Sequence, residues 1–185
     1  MVLNPVRCEE LRLSYARQIL AFVEVDNPYG HLMRTLLDSW HAAKRGWPFM
    51  TRPGRGAGYS PIHLNAPTPS KHREALLLLR HSRAANDIMH YRTEGELVKD
   101  HGVPVATIRE WICKAGLHTT EEVDAFLLKW YRVALLTKGE HNSLGEVNLR
   151  SAMPHDWDSS DPWARYAAID MLPDPDSATE ADSLA

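Results

Sequence analysis

Residues 96–117 read ELVKDHGVPVATIREWICKAGL. Apolar side chains recur there at helical spacing, the pattern breaks at Gly102, Val103 and Pro104, and helical spacing then resumes. Such an interruption predicts two short helices joined by a tight turn. Over 94–101 the first helix buries Leu97 and Val98, and Gly102 supplies the left-handed backbone that a reversal requires. Pro104 stands where a second helix can begin without losing a needed amide. From Val105 that helix buries Ile108, Ile112 and one side of Trp111, so that Ala106, Thr107, Arg109, Glu110 and Cys113 face outward.

Helical periodicity dominates the rest of the chain, and the expected fold class is all-α. Leu11, Tyr15, Ile19, Phe22 and Val23 mark one amphipathic helix. Leu32, Leu36, Leu37 and Trp40 mark a second, which Lys44, Arg45 and Gly46 close with a basic last turn and a C-terminal glycine. These form an N-terminal helical pair over 1–46. Residues 47–67 carry four prolines and three glycines without sustained periodicity and read as a long loop or linker. A helix restarts at Thr68 and Pro69, with Leu76, Leu77, Leu79, Ala84 and Ile88 as its core face. After the broken stretch, Thr119 and Glu122 stand at capping-box spacing before a helix that buries Val123, Phe126, Leu127 and Trp130. The domain containing the broken stretch is thus expected over 68–138. A tail over 139–185 holds one short helical piece, WARYAAIDML, in acidic, proline-marked surroundings, and its last dozen residues are expected to be disordered.

Charge divides along the chain. Through residue 138 there are 19 lysines and arginines against 14 acidic residues, and beyond it 2 against 10. A mildly basic body with an acidic tail fits a polyanion-binding protein, although solubility alone also favours an acidic terminus. No apolar run is long enough to span a bilayer and the N-terminus lacks the apolar centre of a signal peptide, so no membrane role is expected and the chain reads as cytoplasmic. Cys8 and Cys113 are too few for a disulfide framework or a thiolate cage.

Leu97 and Val98, Gly102 four residues after Val98, Val103 beside it, Ile108 and then Trp111 reproduce the apolar spacing of the helix-turn-helix. Over 93–115 the sequence resembles the helix-turn-helix family of DNA-binding proteins, with Val98 where that family prefers alanine or glycine. A looser similarity adds HREALLLLR ahead of the motif and is like the order in sigma-factor region 4 and in phage antitermination proteins of the Q type, with the extra residues RAANDIMHY between the two parts. The resemblance implies a non-enzymatic, sequence-specific transcription regulator binding double-stranded DNA, with RNA polymerase and a second copy of the chain as candidate partners. Ala106, Thr107, Arg109 and Glu110 would form its reading head, Arg109 approaching guanine and Thr107 a phosphate or a thymine methyl. Arg92, Lys99 and Lys114 flank it as phosphate contacts. Glu110 opposes this reading unless it accepts from a cytosine amino group, orients Arg109 or turns aside. A helix-turn-helix also packs helices for purely structural or protein-binding ends, so a helical adaptor that binds only protein is the alternative.

Other constellations point to nothing sharper. GRGAG lacks the Lys-Ser or Lys-Thr end of a P-loop and the spacing of a dinucleotide fingerprint, so no nucleotide cofactor is expected. His72, His81 and His90 recur every nine residues, neither a helical pair nor a zinc-finger interval, so no metal is expected. HDWDSSDPW lacks the glycine and terminal glutamate of a calcium loop and reads as an acidic linear motif. No ordered nucleophile, histidine and acid argue for catalysis.

Overall fold

The structure is a computed structural model, and it describes residues 4–25, 30–46, 62–63, 79–91 and 96–173. Its elements run α1 (Pro5–Glu24), α2 (Gly30–Lys44), β1 (Ile62–His63), β2 (Arg80–His81), α3 (Arg83–Tyr91), β3 (Glu96–His101), α4 (Val105–Lys114), α5 (Thr120–Trp130), β4 (Val133–Thr137), α6 (Lys138–Glu146) and α7 (Ala164–Ala167). The all-α expectation is overturned by a small mixed sheet in the order β1-β3-β4-β2, in which β2 runs parallel to β4 and the other pairs are antiparallel.

The chain forms two compact units, Met1–Gly58 with Val105–Tyr131 and Tyr59–Pro104 with Arg132–Ala185. This replaces the partition into an N-terminal pair, a central domain over 68–138 and a tail. The division falls inside the broken stretch, with β3 in one unit and α4 in the other.

In the helical unit, α1 starts where the Asn4 side chain accepts from the Arg7 amide at 2.8 Å and Pro5 takes the first turn. Ala16, Ile19, Leu20 and Phe22 bury its inner face, and α2 packs against it with Met33, Leu37, Trp40, Ala42 and Ala43. Leu32, expected in that stripe, is exposed. Gly46 ends α2 with a positive φ of 74°, as the C-terminal glycine signal requires. Thr119 and Glu122 form the expected capping box on α5, and Val123, Leu127 and Trp130 are buried while Phe126 is half-buried.

In the sheet unit, the expected first helix of the broken stretch is instead β3. Six residues before Gly102 and Pro104 are too few for a stable isolated helix, and a strand buries adjacent apolar residues on opposite faces. Leu97 and Val98 are both buried, and β4 pairs beside them, Leu97 opposite Thr137 through His101 opposite Val133. β4 comes from VALLT, whose unbroken apolar run suits a strand covered on both faces. The expected helix from Thr68 lies outside the described residues through 78. Beyond them Leu79 is buried, β2 follows, and α3 begins after Ser82, whose hydroxyl accepts from the Ala85 amide at 3.1 Å.

Gly102 is not left-handed, since among the described residues only Gly46 and Gly116 are glycines with positive φ. It is required by close approach. A Cβ there would meet the Pro162 carbonyl oxygen at 2.5 Å, Arg132 Cβ at 3.1 Å and the Trp163 ring at 3.2 Å, while the Gly102 amide donates to the Arg132 carbonyl at 2.9 Å. The acidic segment is therefore part of the sheet unit rather than a tail. α6 opens on a second capping box, Thr137 with Glu140, and Tyr166 and Met171 join Ala134, Leu136 and Leu144 in one apolar cluster edged by Leu149, Trp163 and Ile169. The dozen residues expected to be disordered, 174–185, lie outside the described residues.

Candidate functional site

α4 has the two faces that its apolar periodicity predicts. Ile108 and Ile112 are buried, and the Trp111 ring stands edge-on to Trp130 at 5.2 Å and to Phe126 at 6.3 Å, which fixes the helix against α5. On the outward face Ala106, Glu110, Cys113 and Lys114 are exposed, and Thr107 and Arg109 are half-exposed. Glu110 turns aside to form an i, i+4 ion pair with Lys114. That pair removes the acid from contention with a phosphate and also occupies Lys114.

The helix pair in this region is α4 with α5, one element later than the sequence spacing proposed. Gly116, with φ at 61°, makes the turn between them. Glu121 and Glu122 occupy the first turn of α5 and Glu122 closes its cap, whereas the first turn of α4 carries no acidic residue. The amides of His118 and Thr119, together with the Thr119 hydroxyl, hold the Glu122 carboxyl below the ordinary range. α5 thus opens with fixed negative charge, so α4 is the member of the pair suited to a polyanion.

Lys99 is half-buried on β3, opposite Leu135, in the sheet unit. Arg92 lies outside the described residues.

Sequence reading missed two buried polar networks. In the helical unit Asp124 Oδ1 accepts from Trp40 Nε1 at 2.8 Å and lies 2.8 Å from Arg12 Nε, and the Tyr131 hydroxyl donates to Asp38 Oδ1 at 3.0 Å. In the sheet unit Asp100 Oδ2 accepts from Arg165 Nη2 and, at 2.9 Å, from the Tyr166 hydroxyl. Arg165 Nη1 donates at 2.9 Å to the carbonyls of both Leu149 and Arg150. Burial, reinforced by the neighbouring Asp100 carboxylate, pushes the Tyr166 hydroxyl well above its usual range and keeps it a donor. The available signal was an acid inside an otherwise covered strand, Asp100 after Leu97 and Val98, because a buried charge requires a partner.

Among the described residues no group of three histidine, cysteine or acidic side chains is placed to hold a metal ion, and no helix is long and apolar enough to cross a membrane. The chain matches no protein-family model, no curated protein and no solved structure.

Proposed function

We propose that this chain is a non-catalytic DNA-binding protein of the transcription-regulating kind, which presents the outward face of α4 to the major groove. The observation that carries this reading is the two-sidedness of α4: one stripe anchored by Ile108, Ile112 and Trp111, the other leaving Ala106, Thr107 and Arg109 outward. A helix about 10 to 12 Å across fits a groove about 12 Å wide. Pairing with Lys114 removes the objection that Glu110 raised. The reading rests on α4 itself and not on a helix-turn-helix, because the preceding arm is a strand. RNA polymerase and a second copy of the chain are the partners that fit a regulator of this kind.

The rival reading, an adaptor that binds only protein, is favoured by the half-exposed Trp111 and Phe126, since aromatic residues are enriched in protein interfaces. A mobility shift on random duplex DNA across a salt series separates the two. The DNA reading expects binding with a clear negative salt slope. It also expects Arg109→Ala to weaken a selected site by about 1 to 3 kcal/mol with an unchanged thermal midpoint. A folded sample with no affinity for DNA at low salt supports the adaptor.

A further inference from the structure

α6 sets Lys138, His141, Asn142 and Gly145 on one stripe, at i, i+3, i+4 and i+7. Gly145 seats a guanidinium: a Cβ at that position would lie 3.2 Å from Arg150 Nη2, 3.3 Å from its Cζ and 3.4 Å from its Nε. Arg150 Nη2 donates to Asn142 Oδ1 at 3.2 Å, and the Arg150 carbonyl accepts from the buried Arg165 at 2.9 Å. The backbone of the residue is thus held by a buried group, and its exposed head is steered by Asn142 and pairs with no carboxylate among the described residues. His141, half-buried on the same stripe, has no hydrogen-bond partner among the described residues.

The nearby acids are engaged elsewhere. Asp100 is taken by Arg165 and Tyr166. Glu140 Oε2 accepts from the Ser82 hydroxyl at 2.6 Å, the Thr137 amide at 2.8 Å and the Thr137 hydroxyl at 2.9 Å. Glu146 stands five residues from His141, about 140° around the helix and off the stripe.

We propose that His141 and Arg150 form a binding site for a phosphate oxyanion, and that in this chain the oxyanion belongs to the phosphodiester backbone of bound nucleic acid. This assignment of the ligand rests on the DNA-binding reading, but the site belongs to the sheet unit and shares no residue with α4. An arginine fork held in place before binding presents two parallel N–H donors to two phosphate oxygens, and an imidazolium adds a third. The groups that act on His141 are Asp100 from β3, Arg150, Arg165 from α7 and Lys138 on its own helix. Burial chiefly, with Arg150, Arg165 and Lys138 adding to it against Asp100, lowers the proton affinity of His141 and disfavours the charged ring before the anion arrives. A phosphate dianion or diester reverses that balance, and binding takes up a proton.

Titration calorimetry of the full chain with a random-sequence duplex, in phosphate-free buffers of differing ionisation enthalpy, tests the proposal. Expected are proton uptake that disappears in His141→Gln, and in Arg150→Gln a salt slope reduced by about one with affinity up to about eightfold weaker at 0.1 M salt. Gly145→Ala is the second variant, because it raises helix propensity while pushing the Arg150 head off its seat; it should weaken binding without loss of stability. Parental affinity, salt slope and proton uptake in all three folded variants overturn the site. If the parent chain binds no duplex, the DNA reading has failed by itself, and inorganic phosphate, followed by the His141 ring resonances, then decides. A response lost in Arg150→Gln keeps the oxyanion site and removes nucleic acid as its source, and no response overturns the site as well.

Discussion

Asp124 in the helical unit and Asp100 in the sheet unit are each a covered carboxylate that meets one arginine and one aromatic donor, but the arginines stand in different surroundings. The Arg12 side chain keeps 23% of its surface exposed and comes from a helix, so water shares its charge. The Arg165 side chain is 1% exposed, and its charge is met by Asp100 and by the carbonyls of Leu149 and Arg150 in the loop after α6. Two networks of the same composition therefore carry different risks. The helical unit holds an ion pair at its edge, whereas the sheet unit encloses a charge that its fold must always satisfy.

The largest expected effect follows from that enclosure. Asp100→Asn keeps the shape but leaves Arg165 buried without its counter-charge, and should cost about 3 to 5 kcal/mol in a urea titration. Gly102→Val should come next, at about 2 to 3 kcal/mol, because the new side chain overlaps the Pro162 carbonyl and the Trp163 ring. Gly102→Ala discriminates between causes. An alanine clash at 2.5 Å from a backbone oxygen predicts a clear loss, and a variant that melts like the parent removes close approach as the reason for this glycine. Asp124→Asn should cost less, about 1 to 2 kcal/mol, since Trp40 keeps an acceptor and Arg12 turns to water. Equal losses for Asp100→Asn and Asp124→Asn would break the comparison, because exposure of the arginine would then not set the cost.

Legibility in the sequence followed the range of the interactions. Local chemistry was readable: Gly46 ending α2, the capping box at Thr119 and Glu122, and the inward stripe of Ile108 and Ile112 on α4 all depend on residues within a turn of one another. The spacing of Leu97 and Val98 predicts a helix because a six-residue strand and the face of a short helix share the same apolar letters; the deciding fact is β4, which begins at Val133, far beyond any local pattern. Only Tyr131 and Arg132 separate VALLT from α5, so the apolar pattern of the helix runs on into the strand without a break signal. Composition likewise mistook a folded segment for a tail, since the acids over 156–161 sit in loops while Arg165, Tyr166 and Met171 enter the core. For the candidate DNA contacts, the outward positions of those on α4 are legible from periodicity, whereas Lys99 lies on a strand where a helix is expected.

The smallest expected effect lies on the outward face of α4, where the ion pair between Glu110 and Lys114 is exposed by 58% and 72% of its side chains. Solvent screens such a pair, and spacings of i, i+4 on a helix contribute about 0.3 to 0.5 kcal/mol. Glu110→Ala should therefore leave the melting curve almost unmoved, the lost pair being offset in part by the better helix propensity of alanine. Binding should respond in the opposite sense from Arg109→Ala and Arg150→Gln. Removing Glu110 takes a negative charge from the proposed reading face and releases Lys114 toward phosphate, so affinity for random duplex should rise and the salt slope should steepen by about one. An adaptor that recognises protein gives no reason for such a gain on DNA, and unchanged DNA binding in a folded Glu110→Ala sample would take α4 out of the interface while leaving both buried carboxylates as they stand.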